Sequence, residues 1–240
     1  EFGERILDHA KRLLEETEAA SAMALHRQGT PRGVLRVSMP PDFVELDLTP
    51  LLLQFAASYP EVRLELDLSP RRVDLLVERF DLAVRAASRL PDDGTLVARK
   101  LCDMPNGLYA SPAYLARYGV PAKPEELLDH VGLRLIGGNG EPLPWRLSRG
   151  TDYWEGLPDG PLAANSPSLQ RDLAAHGMGI VALDERFAGK LVEQGRLKRV
   201  LPEWCLPTVT LWCVTPGRRL MPARTSAFID MLRTSLAAAN

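Results

Sequence analysis

Residue types that carry catalysis or bind metals are thinly spread through the 240 residues, and their spacing argues against both roles. His9, His26, His130 and His176 stand far apart. None has the i, i+4 partner that puts two imidazoles on one helix face, so no metal site is expected. Cys102, Cys205 and Cys213 lack C-x-x-C or zinc-type spacing. They read as small buried thiols in a reducing compartment, with a redox pair between Cys205 and Cys213 as the competing reading. Asp92-Asp93 and Glu125-Glu126 fall near turns or helix starts, where solvation and the helix dipole explain them better than proton transfer does. No G-x-S-x-G, P-loop or G-x-G-x-x-G pattern occurs, and the cluster Gly137-Gly138-Asn139-Gly140 reads as a turn. A protein without catalysis and without a cofactor is expected.

One chemistry does recur. Ser38-Met39-Pro40-Pro41-Asp42, Ser69-Pro70, Ser111-Pro112 and Asn165-Ser166-Pro167 each join a short polar side chain to proline where a strand pattern gives way to a helix pattern. Such a terminus offers free N–H groups and a positive dipole end. Taken singly, each is an ordinary cap. Several meeting at the strand ends of a two-lobed α/β protein would form a site for a small anion or carboxylate.

The elements that must position these termini alternate along the chain. Val34–Val37 reads as a strand; Leu51, Leu52, Phe55, Ala56 and Tyr59 have helical spacing; residues 62–68 alternate with period two. A short helix is expected from Ser69-Pro70 through Val73, Leu76 and Val77, then strands at 81–85 and 96–101. A second series has a strand at 108–110, helices after Ser111-Pro112 and Pro124, strands at 133–136 and 145–147, and a helix after Asn165-Ser166-Pro167 that ends at Gly177. Strands at 180–183 and 209–214 follow, and a last helix is lined by Phe228, Ile229, Leu232 and Leu236. The pattern predicts an α/β protein with mostly parallel sheets. Breaks at Met104–Gly107 and Leu201–Pro207 would suit two crossings between lobes.

The first 28 residues differ. Ile6, Ala10, Leu13, Thr17, Ala20 and Ala24 follow 4-3-4-3-4 spacing with charges off the seam, which predicts a long helix packed on a partner chain. The 29 basic and 31 acidic residues give a net charge of −2, too little positive charge for this chain to hold a polyanion by itself. No apolar run reaches the roughly 18 residues of a membrane span, and Glu1-Phe2-Gly3-Glu4-Arg5 is no signal sequence, so a soluble cytoplasmic protein without membrane contact is expected.

Several segments together, in this order and spacing, carry a resemblance: Gly33-Val34-Leu35-Arg36-Val37-Ser38-Met39-Pro40, Leu48-Thr49-Pro50-Leu51-Leu52 with Phe55, and Tyr59-Pro60-Glu61-Val62-Arg63-Leu64-Glu65-Leu66. They continue with Val73-Asp74-Leu75, Glu78 to Arg85, Ala110 to Leu115, and Gly177-Met178-Gly179-Ile180. The chain resembles the linker helix and effector-binding domain of the LysR-type bacterial transcriptional regulators. That resemblance implies two Rossmann-like subdomains of the periplasmic-binding-protein type, residues 34–103 with 206–240 and residues 104–205, behind a dimerisation helix at 1–28 with Ile6, Leu13 and Ala20 in its seam. It implies a homodimer or homotetramer. Promoter DNA would be held by a winged helix-turn-helix domain outside this chain.

Carried over residue by residue, the resemblance implies an effector cleft lined by Ser38, Met39, Pro40, Asp42 and Ser69, with Arg85 on the same side. Gly138, Asn139, Trp145, Asn165 and Ser166 would come from the second subdomain. Arg85 would pair with an effector carboxylate or, alternatively, with Asp42 or another lobe residue. A small molecule between the lobes would favour one lobe arrangement and so reorient the subunits. The alternative from another class is a two-lobed solute-binding protein. Within the family resemblance, a helix is implied through Pro50, where local rules would start or kink it instead.

Overall fold

The computed structural model describes residues 30–46, 48–90, 94–217 and 221–238. The expected dimerisation helix, with Ile6, Leu13 and Ala20, lies outside them.

The chain begins with β1 (Gly33–Met39), whose alternation buries Leu35, Val37 and Met39 completely. A 3-10 turn over Pro41–Leu46 leads to α1 (Leu48–Ser58), which carries Pro50 in its first turn. The helix thus restarts after the 3-10 turn, since proline is tolerated only where its missing N–H has no partner to lose. β2 (Val62–Leu68), β3 (Leu82–Ala87) and β4 (Leu96–Met104) follow. With β12 (Val209–Pro216) they form a sheet of order β2-β1-β3-β12-β4. On its front face α1 and the C-terminal helix α5 (Ala223–Ala238) bury Phe55, Phe228, Ile229, Leu232 and Leu236 against Leu82, Val84, Leu211 and Cys213. Phe55 and Phe228 meet edge to face, 5.1 Å between centroids. Each fully buried side chain of this size stabilises the fold by about 1.5–3 kcal/mol.

The second lobe holds β5 (Asn106–Ala110), α2 (Pro112–Tyr118), β6 (Gly132–Leu135), β9 (Ala163–Ala164), α3 (Pro167–Ala175), β10 (Ile180–Asp184), α4 (Glu185–Glu193) and β11 (Lys198–Val200). Its sheet order is β11-β5-β10-β6-β9, and β7 (Trp145–Arg149) and β8 (Asp152–Gly156) form a separate hairpin. Ser111 caps α2, its hydroxyl accepting from Tyr114 N at 3.2 Å.

Two expectations are corrected. The sheets are mixed: in the first, β12 runs antiparallel to both β3 and β4, and in the second β5 runs antiparallel to β10 and β11. A strand that arrives from the other lobe enters its sheet at the cleft end and must run against the strands that end there. Val209, where β12 begins, accordingly pairs with Met104, where β4 ends.

The expected helix after Ser69-Pro70 does not form; residues 70–80 are irregular, with a single turn at 75–79. Asp74 Oδ1 accepts from Leu76 N and Val77 N, both at 3.0 Å, and Glu78 Oε1 accepts from Asp74 N at 2.9 Å. Asp74 thus caps a single helical turn, closed by Glu78 N donating to Asp74 O at 2.9 Å, and Arg79 at φ 58° ends it there. Among the described residues, no helix therefore covers the back face of the first sheet.

Candidate functional site

The lobes meet where the 3-10 turn of lobe I packs against α3 and α4 of lobe II. Ser166 caps α3, its hydroxyl accepting from Leu169 N at 3.3 Å. Gln170, fully buried, donates to the carbonyls of Arg134 (2.6 Å) and Ala164 (3.1 Å) and so holds the helix start against the β6 and β9 edge. Onto this terminus comes Asp42 of lobe I. Its Oδ1 accepts from Ser166 Oγ at 3.0 Å and from Ser168 N at 2.9 Å. A carboxylate of one lobe thus occupies the anion position at the helix N-terminus of the other.

The rest of the seam is mixed. Phe187 of α4 is buried within the lobe I core, and Arg186 donates to Cys102 Sγ at 3.3 Å and Asp103 O at 3.5 Å. Asn106 Nδ2 donates to Met104 O and Pro207 O, both at 3.1 Å, tying together the two chain crossings. Sequence reasoning missed α4 and with it Phe187 and Arg186. The signal was there, since Asp184 is a good N-cap and Phe187, Ala188 and Leu191 have helical spacing.

The sequence-predicted residues separate into groups. Asp42 and Ser166 come together at the lobe seam. Ser38 and Arg85 form a second group: Arg85 Nη2 donates to Ser38 Oγ at 3.1 Å, Nη1 to Val84 O at 2.9 Å, and the Ser38 hydroxyl reaches Asp67 Oδ2 at 3.4 Å. The expected Arg85–Asp42 ion pair is absent, because Asp42 Oδ1 faces α3. Burial, and next the charge of Arg72, lower the proton affinity of Arg85.

Ser69 Oγ accepts from Arg71 N at 3.2 Å, and Pro40 O accepts from Phe43 N at 3.2 Å. Met39 is fully buried in the lobe I core, and Trp145, 3% exposed, lies in a lobe II core, so neither side chain reaches a cleft surface here. Gly138, Asn139 and Asn165 are exposed, Asn139 closing a turn through Glu141 N at 3.2 Å. The four termini do not converge. Ser69-Pro70 starts no helix, and Ser111 is buried within lobe II.

The cysteine pair is also overturned. Cys205 is exposed and bridges Ser148 in lobe II, while Cys213 lies in the lobe I core, where burial pushes its thiol up to about 12. Among the described residues, no group of histidine, cysteine and carboxylate side chains could hold a metal ion. None of the described helices is long and apolar enough to cross a membrane.

Residues 28–237 match the LysR substrate binding domain family. A transcriptional regulator of the helix-turn-helix type from Xanthomonas campestris is 36% identical over 233 residues, covering 95% of this chain and 67% of that protein. The regulator PtxR of Pseudomonas aeruginosa is 32% identical over 236 residues, covering 98% and 74%. Among solved structures, the LysR-type regulator CrgA of Neisseria meningitidis superposes with a TM-score of 0.71 at 29% identity, over 98% of this chain and 79% of that one. The virulence activator AphB of Vibrio cholerae, at a TM-score of 0.74 and 24% identity over 98% and 79%, shares the fold. The chain belongs to the LysR-type transcriptional regulators, and its two lobes are their effector-binding domain, through which an effector controls DNA binding.

Proposed function

We propose that a small-molecule effector acts on this regulator at the lobe seam by competing with the Asp42 tie to the start of α3. The observation that carries this is the pair of bonds from Ser166 Oγ and Ser168 N to one Asp42 oxygen. Since the anion position is already taken, an effector group that binds there is either neutral or displaces Asp42. Switching a lobe arrangement from 1:99 to 99:1 needs about 5.5 kcal/mol of differential binding. A tie of this kind supplies about 1–2 kcal/mol of it.

Among the residues expected to line the cleft, the contact of Asp42 with Ser166 supports this reading, and exposed Gly138, Asn139 and Asn165 would be open to an effector that bridges the lobes. Lobe movement would be read out through a homodimer or homotetramer assembled on the 1–28 segment and would reorient domains that grip promoter DNA. The two sheets support a division at 34–103 with 206–240 and 104–205, apart from Met104, which ends β4 of the first sheet. Cytoplasmic regulation without catalysis fits the family, which leaves the solute-binding alternative without support.

Asp42→Ala is the test. Loss of the tie is expected to speed hydrogen exchange at the Ser168 and Leu169 amides and to lower stability by about 1–2 kcal/mol. Unchanged exchange at Ser168 would show that Asp42 holds nothing.

A further inference from the structure

The back face of the lobe I sheet carries a pocket of about 490 Å³, within the size range of small-molecule sites and built entirely from lobe I residues. It exists because the crossover from β2 to β3 forms turns where a covering helix was expected. Its floor is apolar, with Leu75, Leu96 and the indole of Trp212. Its rim is cationic, with Arg72, Arg85 and Arg89.

Among the described residues, the charge of that rim is poorly matched. Arg71 is held by Glu78, but among the described residues no ion pair forms to Arg72, Arg85 or Arg89. Among the described residues, Asp67 is the carboxylate whose charge acts on Arg85, and it accepts from the Ser38 hydroxyl that Arg85 also holds. The crowding of guanidinium groups registers on Arg85, whose proton affinity falls through burial and then through Arg72. Guanidinium forks beside a half-buried indole suit a planar carboxylate on an apolar body. Inorganic phosphate would leave the floor uncovered, and a purely apolar ligand would leave the arginines unmatched.

We propose that this pocket binds an amphipathic organic carboxylate, its carboxylate between the three arginines and its apolar body on Trp212 and Leu96. The site lies apart from the Asp42 tie. Binding would draw Arg85 from Ser38, at the end of the strand that leads into the Asp42 turn.

The tryptophans make the proposal testable. Of the four, Trp145, Trp154 and Trp204 pack in lobe II and only Trp212 belongs to lobe I. In the chain labelled with 5-fluorotryptophan, benzoate at up to about 10 mM is expected to move the fluorine resonance of Trp212 saturably, with Trp212→Phe giving the assignment. Benzamide and acetate should leave it in place. The double variant Arg72→Met/Arg89→Met should weaken benzoate roughly tenfold while the lobe II resonances stay put, which confirms folding.

An unmoved Trp212 resonance overturns the proposal. So does an equal response to benzamide, an equal response to inorganic phosphate, or movement confined to lobe II. The readout for Asp42 is hydrogen exchange at Ser168, so either reading can fail while the other stands.

Discussion

The two faces of the lobe I sheet share strands yet are finished differently. β12 shows it within one strand: Leu211 and Cys213 point to the front and are fully buried under α1 and α5, while Trp212 and Val214 point to the back among turns. Period-two alternation makes both faces apolar, but among the described residues only the front received helices. A sheet of this kind buries one face for stability and leaves the other, with its arginines, for chemistry.

The largest expected effect tests the front. Phe228→Ala removes a fully buried ring that meets Phe55 edge to face, and should cost about 3–5 kcal/mol in urea unfolding. On the back, Leu75→Ala should cost about 2 kcal/mol, at the low end for a buried leucine, because the residues around a half-open pocket can collapse into the space. If the two losses are equal, the back face is as rigid a core as the front and the contrast fails.

Iodoacetamide at neutral pH should modify Cys205, which is exposed, and spare Cys213. In a Cys205→Ser background, Ala98→Cys at the exposed pocket edge should react readily, as checked by intact mass.

The smallest effect is alkaline. The Cys213 thiol is raised by burial to about 12 in the folded chain, whereas an unfolded cysteine ionises near about 8.5. Its contribution to stability is therefore complete below about pH 8.5 and is lost as pH rises from there toward 12. Cys213→Ala should flatten that part of the stability profile relative to the unaltered chain.

Much of the scaffold was legible because it rests on local pattern. Ser111-Pro112 and Ser166-Pro167 start helices where their caps are, and all four apolar residues assigned to the last helix are buried. The site was less legible. Ser38, Met39, Pro40 and Asp42 are sequence neighbours, yet Met39 turns into the core, Ser38 to the back of the sheet and Asp42 across to the other lobe. Alternation along a strand and the turn after it separate what proximity in sequence had grouped. The segment after Ser69 misled for a different reason. Its helix-start signature at Ser69-Pro70 goes unused, because Asp74 caps a single turn four residues past Pro70 and Arg79 at φ 58° ends it.

The family, the alternation of strands and helices, and the helix caps can be read from the chain alone, because these depend on order, periodicity and interactions within a few residues. That Asp42 spans the lobes to cap α3, that Phe187 of one lobe completes the core of the other, and that Arg72, Arg85 and Arg89 ring one pocket emerges from the folded molecule. Each joins residues whose distance is set by how sheets and lobes pack, and no local rule encodes that distance.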